Sequence, residues 1–134
     1  MIAVTRTWNL DASGSGSRII RVTVPVRTVS EANAHEHWRA RQKRAKAQRL
    51  AVGLVVKTAL ADESVQFPLM VTLVRIAPRA LDDDNLLGAL KHVRDAVAEA
   101  LALPNDRDPR VSWGYAQQRG APKEYAVIVG IERA

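Results

Sequence analysis

The sequence contains no cysteine, so neither a disulfide framework nor a thiolate metal site is open to it. A reducing cytoplasm is the default expectation. The three histidines, His35, His37 and His92, are too few and too bunched for a zinc centre, because the first two lie two residues apart and point to different sides of a helix. They read instead as surface or capping residues. No apolar stretch approaches the ~18 residues a membrane helix needs. The opening MIAVTRTWNLD has no charged head followed by a continuous apolar run. A soluble chain retained in the cell, with no membrane partner, is expected. Acids are also the minority charge: Asp and Glu total 14 against 20 for Lys and Arg, a formal net charge of +6, which favours polyanionic partners such as nucleic acid.

What is present suits one domain spanning residues 1–134, since 47% of the chain is hydrophobic and there is no room for a second core. Residues 2–10 predict a first strand, the run ASGSGS from Ala12 to Ser17 a loop, and the β-branched stretch RIIRVTVPV at 18–26 a second strand. Ser30 is an N-cap candidate for one long helix to about Ala61, or two helices joined near Gly53, with Trp38, Ala45, Val52 and Ala59 as its buried stripe. FPLMVTLVRI, from Phe67 to Ile76, is short and apolar enough for a buried strand. Asp82 or Asp83 then starts a helix whose apolar face is Leu86, Leu90, Val93, Val97 and Leu101, and which Leu103 and Pro104 bring to an end. Val111–Gln117 and Glu124–Glu132, separated by a turn at 119–122, predict a closing hairpin. The implied class is α+β, a mixed sheet packed with two helices.

Asp82, Asp83, Asp84 and Asn85 sit where the apolar strand meets that helix. One acid explains a helix cap; three in succession repel one another unless a cation offsets them. A calcium loop fails in register, because Leu86 stands at the next liganding position and the glycine and distal glutamate are missing. Magnesium fits better, since it binds through one or two carboxylates, keeps waters and accepts phosphate oxygens. On a continuous helix Asp84, Gly88, Lys91 and Asp95 share one side, away from the apolar face. Lys91 could pair with Asp95 as a solvated residue, or stand beside a metal and offset charge on a phosphodiester transition state. Asn105, Asp106 and Asp108 form a second polar loop between Pro104 and Pro109, an ordinary turn unless folding returns it to the first group.

The segment LDDDNLLGALKHVRDAVAEALALPNDRDPRV resembles the core of the RusA family of bacterial and phage Holliday junction resolvases. The family pattern is Asp, any residue, Asp and Asn at a helix start, a Lys on the helix, and an Asp-rich loop beyond it; Asp82, Asp84, Asn85, Lys91 and Asp106 match. The family lysine commonly stands four residues after the second aspartate. Here Gly88 is at that place and Lys91 lies seven residues on, as a three-residue insertion would give. The resemblance implies a RusA-like α+β fold and Mg²⁺, or Mn²⁺, held by Asp82, Asp84 and Asp106. It further implies a catalytic contribution from Lys91, and a homodimer that cuts opposed strands of a four-way DNA junction in recombination and repair. The same chemistry could act on other branched phage DNA. A noncatalytic basic DNA-binding protein, with acids that only cap and turn, is the reading from another class.

Between Arg39 and Arg49 there are six basic residues and no acid. Arg39, Lys43 and Lys46 fall at helical spacing and predict a surface that grips DNA phosphates without reading bases. Trp8, Trp38 and Trp113 could stack on unpaired bases but more often serve a core or interface, with Trp113, close after the acidic loop, the best placed for contact with DNA.

Overall fold

Apolar and β-branched side chains that alternate along three strands create one dry sheet face, and the helices close over it. The computed structural model describes residues 3–10, 16–29, 37–61 and 63–134, with side chains of 3–10 and 16–19 outside the description. The elements are β1 (Ala3–Leu10), β2 (Gly16–Val24), α1 (Trp38–Leu60), β3 (Leu69–Ala77), α2 (Asp83–Ala89), α3 (Lys91–Ala100), β4 (Val111–Arg119) and β5 (Ala126–Arg133). The expected α+β class is observed, a mixed sheet packed with helices. The sheet order is β1-β2-β5-β3-β4, with β3 and β4 parallel and every other pair antiparallel. Ile20, Val22 and Val24 of β2, Leu69, Val71 and Leu73 of β3, and Val127, Val129 and Ile131 of β5 form the sheet side of the core. Val52, Val55, Val56 and Ala59 of α1 join Val93, Ala96 and Val97 of α3 from the helix side.

Three expectations change. First, β4 and β5 are not a hairpin: β5 lies between β2 and β3, and β4 takes the outer place beside β3. Burial accounts for it. In β4 only Val111 is buried, as suits an edge, whereas β5 buries Ala126, Val127, Val129 and Ile131 and needs a strand on each side. Second, the acidic segment makes two helices that meet at Leu90, so three helices cover the sheet instead of two. Leu90 is fully buried, and its backbone still links the two through bonds to Leu86 O and from Arg94 N. The expected apolar face survives the break: Leu86, Leu90, Val93, Val97 and Leu101 are all buried.

Third, α1 runs unbroken through Gly53, but Trp38 is 56% exposed, and the buried stripe begins only at Gln48 and continues with Val52, Val55, Val56 and Ala59. The first turns of α1 are exposed, with only Arg44 and Ala45 partly covered before Gln48. The helix start is His37, whose Nδ1 accepts the Arg39 amide at 3.2 Å, in keeping with a capping histidine. Ser30 and His35, like most of the ASGSGS loop, lie outside the described residues; Gly16 and Ser17 of that run begin β2. No helix among the described residues is long and apolar enough to cross a membrane.

The parallel β3–α2–α3–β4 unit positions the acids. β3 delivers the chain at Ala77, α2 and α3 carry it back, and β4 restarts at Val111 opposite Leu69. Leu103 N donates to Ala98 O and Ala102 N to Glu99 O, a turn that closes α3 with Ala102 in the left-handed region at φ 58°. That turn sends residues 103–108 back along α3 instead of away from it.

Candidate functional site

The acids fall into two groups of different character. At the β3–α2 junction Asp82 is the N-cap, its Oδ1 accepting the Asn85 amide at 2.9 Å. Of the two acids that could start the helix, Asp82 takes the capping role. Asp82, Asp83 and Asp84 are all exposed, and none has an ion-pair partner among the described residues.

The second group is tightly tied. Lys91 Nζ donates to Asp95 Oδ1 at 3.1 Å and to Asp106 Oδ2 at 3.2 Å. The expected pairing of Lys91 with Asp95 is present, and the same ammonium also reaches Asp106. Arg94, one turn further on, brings Nε to 2.8 Å from the same Asp106 oxygen, without the alignment of a hydrogen bond, and its Nη2 donates to the Asp106 carbonyl at 2.9 Å. Trp113 Nε1 donates to that carbonyl as well, at 3.0 Å, and the Arg94 guanidinium lies 4.7 Å from the Trp113 ring centroid. Arg94 Nη1 also donates to the Tyr115 hydroxyl. Folding therefore returns the 105–108 loop to the helix that bears Lys91.

The electrostatics follow from these contacts. Partial burial disfavours the Asp106 carboxylate, but the hydrogen bond and charge of Lys91 and the charge of Arg94 outweigh it and hold its pKa below the ordinary value. The Lys91 pKa is raised, chiefly by its hydrogen bond to Asp95, with Asp106 adding to it against some desolvation. Asp108 is lowered by the two-pronged grip of Arg110, which also stacks over Phe67 at 4.5 Å and anchors the far side of the loop. Asn105 Oδ1 accepts the Arg107 amide at 2.8 Å, a local turn bond.

Among the described residues no three His, Cys, Asp or Glu side chains gather into a metal-holding group. The fold brings Asp106, Lys91 and Asp95 together, and does not draw Asp82, Asp84 and Asp106 into one cluster. The donor chemistry still suits magnesium: Asp82 and Asp84 are exposed oxygen donors at one junction, and both cations on Asp106 meet Oδ2, leaving Oδ1 outside those ion pairs.

Arg39, Lys43 and Lys46 are all exposed on α1, with Arg39 over the Trp38 ring at 5.2 Å. Lys46 lines a groove between α1 and α3 with Arg49, Lys57 and His92. Arg49 approaches Glu99 of α3 at 3.9 Å. Trp113 is half-buried and spent on holding Asp106, which removes it as a free stacking platform; the Trp8 side chain lies outside the description. Sequence reading missed Arg94, Tyr115 and Gln117. The i, i+3 spacing of Lys91 and Arg94 and the alternation of Trp113, Tyr115 and Gln117 on one strand face were visible, but which face would be covered was not.

No family model matches the chain, and no curated protein matches it. Among solved structures, the crystal structure of a DUF1185 family protein from Silicibacter pomeroyi DSS-3 is similar at a TM-score of 0.40 and 10% identity, covering 98% of this chain and 95% of that one. At that level the likeness carries no argument about fold or function.

Proposed function

We propose that the protein is a metal-dependent endonuclease that hydrolyses phosphodiester bonds in branched DNA, with four-way junctions as the substrate that its RusA-like motif favours. The observation that supports this most is the Lys91–Asp106 ion pair, which joins the helix and the loop that the motif names, across fifteen residues of sequence. Asp82 and Asp84 would hold Mg²⁺, or Mn²⁺ in its place; the RusA-like motif names Asp106 as the third donor, although the fold does not gather it with them. Bound there, the ion supplies Lewis-acid polarisation of a phosphate and a more acidic water. Lys91 holds its positive charge beside Asp106, where it can offset charge that builds on nonbridging oxygens. Arg94 and Trp113 fix the carbonyl of Asp106 and so the direction of its side chain. Arg39, Lys43 and Lys46 would grip backbone phosphates. Two copies acting as a homodimer would place two such sites on opposed strands of a junction.

A noncatalytic DNA-binding role is favoured by one specific observation: Asp82 caps α2 and the Asp106 carboxylate already has two cations, so both acids have structural work. Purified protein incubated with a four-way junction, a flap and linear duplex, in Mg²⁺ or EDTA, separates the two. The nuclease reading expects Mg²⁺-dependent nicking of a branched substrate that EDTA abolishes. Binding to all three with no cutting by folded protein gives the case to the noncatalytic reading.

A further inference from the structure

Three alternate residues of β4 project from the helix face of the sheet, and each grips a different part of the acidic region. Trp113 donates to the Asp106 carbonyl, and Tyr115 accepts from Arg94, which itself holds Asp106. Gln117 makes a two-pronged bond to the single residue Leu81: Oε1 accepts the Leu81 amide at 2.8 Å and Nε2 donates to the Leu81 carbonyl at 2.6 Å. Leu81 immediately precedes the N-cap Asp82. The side-chain amide of Gln117 thus replaces a neighbouring strand for one residue and satisfies both backbone groups of a half-buried position. Directly across the parallel pairing, Arg75 is Gln117's partner in register. It is a buried guanidinium that donates from Nη1 to Arg79 O at 2.8 Å and from Nε to Thr28 Oγ1 at 3.1 Å. The loop between β3 and α2 is therefore tied to the sheet at 79 and at 81.

From this we infer that Gln117 is a positioning residue for the aspartates of α2, and that β4 acts as the ruler that sets their distance from Asp106. Gripping points at 113 and 117 are separated by about 13 Å along a strand at ~3.3 Å per residue. One strand therefore holds both the entry to α2 and the Asp106 loop. The carboxylates of Asp82 and Asp84 have no ion pair of their own among the described residues, so their direction depends on the backbone that carries them. Gln117 holds that backbone without touching substrate or metal, and it rests on the nuclease reading for its consequence.

The test compares wild type with Gln117→Met, which keeps length and loses both bonds, and Gln117→Glu, which keeps the acceptor for Leu81 N and loses the donor. Two readouts are taken: single-turnover cleavage of a four-way junction over a range of Mg²⁺ and DNA concentrations, and amide hydrogen exchange of residues 79–86 against residues 126–133. Gln117→Met should lower the cleavage rate about 10²-fold, the scale expected for misplacing a site by ~1 Å. Junction affinity should stay within a factor of two, and exchange should rise at 79–86 alone. Gln117→Glu should recover part of the rate. Cleavage by Gln117→Met at the wild-type rate, or a lowered rate with unchanged exchange at 79–86, overturns the positioning role and leaves the nuclease reading standing. Wild type that cuts no branched DNA overturns both. If Gln117→Met fails to fold, Gln117→Glu carries the same comparison, and its wild-type rate would overturn the inference.

Discussion

The Asp82–Asp84 junction and the Lys91–Arg94–Asp106 cluster are built on opposite principles. The first is local: three acids in succession, one capping its own helix, all exposed, on a backbone tied to the sheet at 79 and 81. The second is long-range: side chains from α3, the following loop and β4 converge on one residue, Asp106, at its carboxylate and at its carbonyl. The carboxylates of the first group go where their backbone takes them, whereas Asp106 is held by contacts to its own side chain and carbonyl. On the proposed nuclease reading a cation would meet the first group, while the second would stay fixed as it bound.

The contrast breaks most strongly at Arg94. Arg94→Met removes the Asp106 tie, the Tyr115 bond and the stacking on Trp113, and should cost about 2 kcal/mol in urea unfolding, an intermediate figure for a partly buried charged network. A similar neutral change at exposed Asp84, Asp84→Asn, should stay within ~0.5 kcal/mol. Equal losses at the two positions would erase the distinction.

Acid sharpens the same comparison. The Asp106 pKa lies below its ordinary 3.8, so its pairing contributes stability present above that pH and lost as pH falls through the lower folded-state value. Lys91, raised above 10.5, contributes stability present below that value and lost as pH climbs through the higher folded-state one. Asp106→Asn should flatten the acid limb of a urea-midpoint against pH curve and bring the Lys91 pKa back toward its ordinary value by NMR titration. An unchanged acid limb would assign acid sensitivity to other carboxylates.

The smallest of these effects concerns a region that belongs to neither group. Lys43→Ala with Lys46→Ala should leave cleavage chemistry intact once DNA is saturating. It should also reduce the slope of log affinity against log salt by about 2, roughly one unit per lost phosphate contact. An unchanged slope places the DNA path away from the start of α1.

What the sequence made legible tracks the same divide. The apolar faces of β3 and of the acidic helices could be read, because alternation and helical spacing are local patterns: Val71, Leu73, Leu86, Leu90 and Val93 all proved buried. The break at Leu90 was not legible, since the apolar face continues through it, and neither was the insertion of β5 between β2 and β3, which depends on how many neighbours each strand requires. At the site, the pairing of Lys91 with Asp95 follows from spacing, but its bond to Asp106 depends on the tight turn at Ala102 that folds the loop back. Gln117 looked like any polar residue near a strand end. Its meaning comes from its place in register beside Arg75 and under Leu81, which only the parallel β3–β4 pairing creates. Gly88 stands in open space, where an added Cβ would meet nothing within 4 Å.

Single-turnover cleavage of a synthetic four-way junction by wild type, Asp84→Asn and Asp106→Asn, with junction binding followed in parallel, tests the role of the two groups most directly. Mg²⁺-dependent nicking by wild type, loss of nicking to background in both variants, and binding retained in all three are the expected results. Nicking by Asp84→Asn at the wild-type rate, or no nicking by folded wild type, would contradict it.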